Sequence, residues 1–132
     1  CIIAEGNHSY NLIRNSRECV INVPTVDLLE TVVKIGNSSG DEVDKFKEFG
    51  LTADTAHAVS APLIGECYAN FECRLYDDSL VERYNYFIFE VLKAHVATSL
   101  EQPRTVHYMG DGQFMVAGDI VSLRELFNPE LL

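Results

Sequence analysis

The run Gly36-Asn37-Ser38-Ser39-Gly40 is bounded by glycines, as loops that wrap phosphate are, but Asp41, Glu42 and Asp44 follow it. Phosphate laid on a helix start there would meet three carboxylates, so spacing alone favours an ordinary loop. Lys45, one turn further on, reads either as a solvated helix lysine or as a cation reaching an anion from the side. His8, His57, His95 and His107 form no i, i+4 pair and have no Asp or Cys at ligand spacing, so zinc is not expected. No serine sits in a nucleophile-elbow pattern, which argues against hydrolysis. Asp77, Asp78 and Glu82 read as an exposed turn rather than an acid/base pair. The aromatic group Tyr84, Tyr86, Phe87 and Phe89 suits core or interface packing, or the stacking of a flat ligand ring.

Any such site must work inside an acidic molecule. Ten Lys plus Arg against twenty Asp plus Glu give a formal net charge of −10, a field that repels nucleic acid and anionic lipid. An anionic cofactor would need a few placed cations or backbone amides to overcome it. A length of 132 residues with 47% hydrophobic residues fits one folded domain. No apolar run is long enough to cross a membrane. Cys1-Ile2-Ile3-Ala4 has neither the basic nor the apolar region of a signal peptide, and no initiator Met precedes it, as expected of a processed or truncated start. Cys67 and Cys73, six apart in one expected strand, lie too far apart to pair. The four cysteines read as small apolar residues, which fits a reducing cytoplasm.

The elements that would position these residues follow from periodicity. Gly6 to Ser9 has turn and cap character, and a short helix begins near Ser9. The β-branched segment 18–23 reads as a buried strand closed by Pro24, and apolar residues at helical spacing run from Val26 to Gly36 after a Thr25 cap. Ser39-Gly40-Asp41-Glu42 matches a capping box for a second helix ending near Gly50. Segment 66–75 alternates: Cys67, Ala69, Phe71, Cys73 and Leu75 are expected inside, and Glu66, Tyr68, Asn70, Glu72 and Arg74 in water. Segment 84–97 is apolar on both faces, as in a central strand or one packed on a partner subunit. Short strands are expected over 105–108, 114–117 and 120–122, with turns at Gly110-Asp111-Gly112 and Gly118-Asp119. The whole reads as an α+β domain or a small barrel.

Three segments, in order, resemble the flavin reductase-like, flavoredoxin-type family of FMN-binding split barrels. Ser9-Tyr10-Asn11-Leu12-Ile13 leading into Cys19-Val20-Ile21-Asn22-Val23-Pro24 is similar to its T-x-x-L-I and F-V-V-N-x-P motifs. Gly36 to Gly40, then Asp44-Lys45-Phe46 and Gly50-Leu51-Thr52, resembles G-x-x-S-G-x-x-x-D-K-F and G-L-T. Ala61-Pro62-Leu63-Ile64-Gly65-Glu66-Cys67, Phe71-Glu72-Cys73 and Phe87-Ile88-Phe89-Glu90-Val91 are similar to A-P-L-I-x-E-C, L-E-C and F-I-G-E-V.

The resemblance implies a mainly β, antiparallel Greek-key split barrel over residues 1–132, the C-terminal portion of the usual family domain and short of some N-terminal strands. It implies a homodimer with FMN near the subunit interface, and an oxidoreductase passing electrons from NAD(P)H through flavin to free flavin or a partner protein. By position it implies flavin contacts from Ser9, Lys45, Tyr84 and Phe114, with no catalytic acid or base and no metal. Tyr84 replaces a histidine frequent in relatives, so a proton-relay role does not carry over. Phe89 stands where the family has glycine. The competing reading is a shortened or degenerate barrel, a non-catalytic flavin-binding or dimeric interaction module.

Overall fold

In the computed structural model, which describes residues 1–128 and Glu130, the chain enters through helix α1 (His8–Ser16). Its Tyr10 and Ile13 face inward, three residues apart as a helical stripe requires. Arg17 ends α1 in the left-handed region and its amide bonds the Ile13 carbonyl. The chain then reverses into strand β1 (Glu18–Val23). A 3-10 turn (Val26–Leu28) leads into α2 (Leu29–Gly36), and a loop connects α2 to the short α3 (Lys45–Glu48). Then come β2 (Ala53–Asp54), β3 (Leu63–Ile64), β4 (Ala69–Asp77), α4 (Val81–Tyr84), β5 (Ile88–Val96), β6 (Val106–Gly110) and β7 (Gln113–Val116).

Every named ladder is antiparallel. β4 is the centre of a three-stranded sheet, paired with β1 from Glu18↔Arg74 to Val23↔Ala69 and with β5 on its other side. Two irregularities in the β4–β5 register, at Glu72/Cys73 and Leu75/Asp77, twist the ladder. β2 pairs with β3, and β6 with β7 through the expected glycine turn, where Gly110, Asp111 and Gly112 all have positive φ. The main core lies where α1 and α4 cover one face of the sheet: Tyr10, Ile13, Leu75, Val81 and Phe87 cluster there. Tyr10 and Phe87 meet edge to face at 5.4 Å. Asn85, at φ 54, ends α4 with its amide on the Val81 carbonyl. Left-handed backbone suits Gly and Asn and penalises a branched or methyl side chain. Asn85→Ala is therefore expected to cost about 1 kcal/mol in urea unfolding and Asn85→Gly less than about 0.5 kcal/mol.

Several expectations need correction. The capping box at Ser39 does not start a helix: Ser39 Oγ accepts from the Asp41 amide, and α3 begins only at Lys45, capped by Asp44. The competing cap one turn later wins because its carboxylate accepts from the Lys47 amide. β4 starts at Ala69, so Cys67 lies in the preceding turn rather than in the strand. The 84–97 segment divides into the end of α4 and β5, and β5 is an edge of the sheet, with Val91, Leu92 and Val96 exposed. Residues 120–122 form no strand. Asn70 and Glu72, expected in water, are buried; Glu72 is fully enclosed.

The physical reason is the segment 57–59, which folds back over that face of the sheet. Glu72 accepts from the backbone amides of His57 (2.9 Å), Ala58 and Val59 (3.2 Å), and its Oε1 lies 2.6 Å from His95 Nε2. The His95 ring stacks on that of His57 at 5.5 Å. Asn70 accepts from the Ile64 amide in the same way. An enclosed carboxylate is tolerable only when its oxygens are saturated with donors, and here they are.

Candidate functional site

A cleft of about 800 Å³ opens between α1, β1 and the loop that follows α2. Its size suits a cofactor-scale ligand. β1 lays Cys19, Val20 and Ile21 along its floor, and Phe89 of β5 adds an aromatic wall. Phe89 also stacks, nearly parallel, on the core ring of Phe87 at 6.1 Å, so its position is fixed from behind.

The other side of the cleft is polar. Asn7 stands extended before α1 without a side-chain cap, which leaves first-turn amides available to an acceptor. Ser9, exposed in that turn, lines the cleft. Lys45 Nζ donates to the Ile35 carbonyl at 2.9 Å, and Ser38 Oγ donates to the same carbonyl at 3.0 Å. Both therefore cap the C-terminal end of α2. An ammonium has three donors, so Lys45 keeps others for the cleft. Among the described residues lining the cleft it is the sole Lys or Arg side chain.

His8 frames the mouth. Its Nδ1 lies 2.6 Å from Asp41 Oδ1, and its ring rests against Gly40. A side-chain carbon at Gly40 would come within 2.9 Å of His8 Cδ2, so the glycine is needed for close approach rather than for its dihedral freedom.

The four residues singled out by sequence are thus divided. Ser9 and Lys45 share this cleft. Tyr84 is half exposed at the end of α4, with the Arg83 guanidinium 5.1 Å from its ring centre. Phe114, on β7, packs at 5.1 Å against Tyr108 and lines a separate depression beside α2 with Val33 and Gly112. Cleft residues that sequence reasoning passed over are His8, Ser38 and Cys19. Ser38 lies in the Gly36–Gly40 run and Cys19 in the β1 segment, both legible in sequence as motif segments, but no sequence signal marked them or His8 as cleft lining. Groups of three or more His, Cys, Asp or Glu able to hold a metal are absent among the described residues.

A family model for the flavin reductase like domain matches residues 1–117. The chain belongs to that family. An uncharacterized protein of Archaeoglobus fulgidus is 34% identical over 90 residues, 68% of this chain and 51% of the relative. The chain spans about half the length of the curated relatives it matches first. Among solved structures, flavoredoxin of Desulfovibrio vulgaris (Miyazaki F) superposes with a TM-score of 0.82 at 21% identity, over 92% of this chain and 70% of the neighbour. An FMN-binding domain of a flavin reductases-like enzyme from Shewanella baltica OS155 gives 0.79 at 24% identity, over 92% and 71%. The fold is accordingly the antiparallel split barrel of this family, as the motifs implied. No described helix is long and apolar enough to cross a membrane.

Proposed function

We propose that this flavin reductase-like domain binds FMN in the cleft between α1, β1 and the α2–α3 loop, and serves as an NAD(P)H-dependent oxidoreductase in the cytoplasm. The observation that carries the reading is the pairing, in one cleft, of an apolar wall with a single placed cation. Phe89 and Ile21 line one side, and Lys45 with Ser9 the other. A flat ring with a phosphate tail needs both. Lys45, Ser9 and the Phe89 wall would hold FMN here, and the flavin would supply the redox chemistry that links NAD(P)H to free flavin or a partner protein.

The chain's own residues have simpler tasks. Lys45 and the open first turn of α1 counter the negative field and hold the anionic end. Val20, Ile21 and Phe89 exclude water from the ring. Tyr84 and Phe114 stand outside this cleft in one subunit, so contact of either with the same ring needs a second copy. The exposed apolar residues Val91, Leu92 and Val96 on edge strand β5 favour such a homodimer.

A second reading rests on Phe89, whose ring occupies part of the cleft wall where the family motif has glycine: a flavin-binding or dimeric module without turnover. Absorbance spectra before and after FMN addition and desalting separate the outcomes. Retained flavin bands followed by NAD(P)H oxidation support the oxidoreductase, retained bands without oxidation support the module, and loss of all flavin overturns FMN binding.

A further inference from the structure

We propose that Cys19 and Cys73 are a cross-strand dithiol that closes to a disulfide by exchange with a small disulfide entering the cleft, with Cys19 reacting first as the nucleophile and Cys73 resolving.

Geometry carries the inference. Cys19 and Cys73 are direct partners in the β1–β4 ladder, so both side chains lie on the same face. Leu75 donates its amide to the Arg17 carbonyl at 2.8 Å, and the register places Cys19 and Cys73 two residues further along the same ladder. They form a pair of the same type, with Cα atoms about 5.5 Å apart, the separation most common in disulfides. Closure needs side-chain rotation rather than strand movement. The two sulfurs differ in access: Cys73 is fully buried, its Sγ 3.3 Å from the Phe71 carbonyl, whereas Cys19 is half-buried and lines the cleft floor. The order of reaction follows from that difference.

Each step balances. The Cys19 thiolate attacks one sulfur of the incoming disulfide and expels the other half as a thiolate, leaving a mixed disulfide on Cys19. Cys73 then loses its proton, attacks Cys19 Sγ and expels the second half. Two protein thiols are oxidised and one small disulfide is reduced to two thiols. Burial pushes the Cys19 thiol up to about 12, with the Cys73 sulfur adding to it, and burial also raises Cys73. The resting pair is therefore protonated and slow, and its rate grows with the thiolate fraction. A cationic disulfide is favoured over an anionic one by the net charge of −10.

The test uses the Cys1→Ser, Cys67→Ser double variant, which leaves only this pair, treated with cystamine and followed by intact mass. Expected is a transient cysteamine adduct that converts to a product lighter than the starting protein by two hydrogen atoms. The first step should accelerate roughly 100-fold from about pH 7 to about pH 9. Adding Cys73→Ser, or Cys73→Ala should serine destabilise the core, stops the reaction at the adduct on Cys19. A stable adduct while Cys73 is present, first modification at Cys73, or no reaction of the folded protein would each overturn the proposal. One arm rests on the flavin reading: saturating FMN should slow adduct formation. Unchanged rates with closure intact overturn the placement of FMN and leave the dithiol standing.

Discussion

Glu72→Ala should be the most damaging single substitution in this domain, lowering the melting temperature on the order of 10 °C. The side chain is fully enclosed and is the common acceptor for the amides of His57, Ala58 and Val59 and for the His95 ring. Removing it leaves buried donors without partners, which costs more than the net value of the bonds themselves. Glu72→Gln preserves the shape and one carbonyl oxygen but turns an amide NH2 towards a backbone donor, so it should recover only part of the loss. Burial is the largest single influence on this carboxyl and pushes it up. The His95 hydrogen bond, the Ala58 and His57 amides and the attraction of the imidazole together outweigh it and hold the group well below its ordinary 4.5. A carboxyl lowered in the folded state stabilises the fold fully above the unfolded value and loses that contribution as the pH falls through the folded one. The urea midpoint attributable to Glu72 should thus be level above pH 4.5 and decline below it. A parallel decline of equal size in Glu72→Gln would show that other carboxylates govern the acid limb.

Glu72 also shows where sequence patterning stops. The alternation over 66–75 identified the strand and its inward residues Ala69, Cys73 and Leu75 correctly. It could not reveal that 57–59 returns across the other face, because that contact is made by backbone amides, which carry no side-chain signature. The capping box at Ser39 failed for a related reason: a four-residue pattern does not register that Asp44 offers a better-placed cap. The apolar segment after Tyr84 was legible as sheet, but hydrophobicity on both faces did not distinguish a central strand from an exposed edge. Motif order carried the family, since it samples the whole chain rather than one window. The cleft was half legible. Ser9 and Lys45 fell together because both lie in motif segments that flank β1 and α2, whereas Cys19, though inside the β1 motif segment, read only as a small apolar residue because nothing in sequence shows that β1 forms the cleft floor.

Lys45→Ala is expected to weaken FMN binding by about 10- to 100-fold, the loss of one charge-assisted contact. The size follows from scarcity: no other Lys or Arg side chain lines the cleft among the described residues, and Glu42 lies on the same lining. The competing role is visible in the same bond, since Lys45 caps the Ile35 carbonyl alongside Ser38. A cap alone predicts a small drop in apoprotein stability with no change in flavin affinity. A cation for the phosphate predicts the reverse emphasis: a large affinity loss that shrinks as salt screens the charge, and near-native melting without flavin. Fluorescence titration of FMN at low and high ionic strength, with melting curves of both apoproteins, separates these outcomes. Lys45→Arg sharpens the comparison. It keeps the charge but spreads its donors in a plane, so it should retain most of the affinity if charge is what the cleft requires. Equal affinity in wild type and Lys45→Ala would remove Lys45 from the site and leave the open first turn of α1, with Ser9, as the anion-facing element.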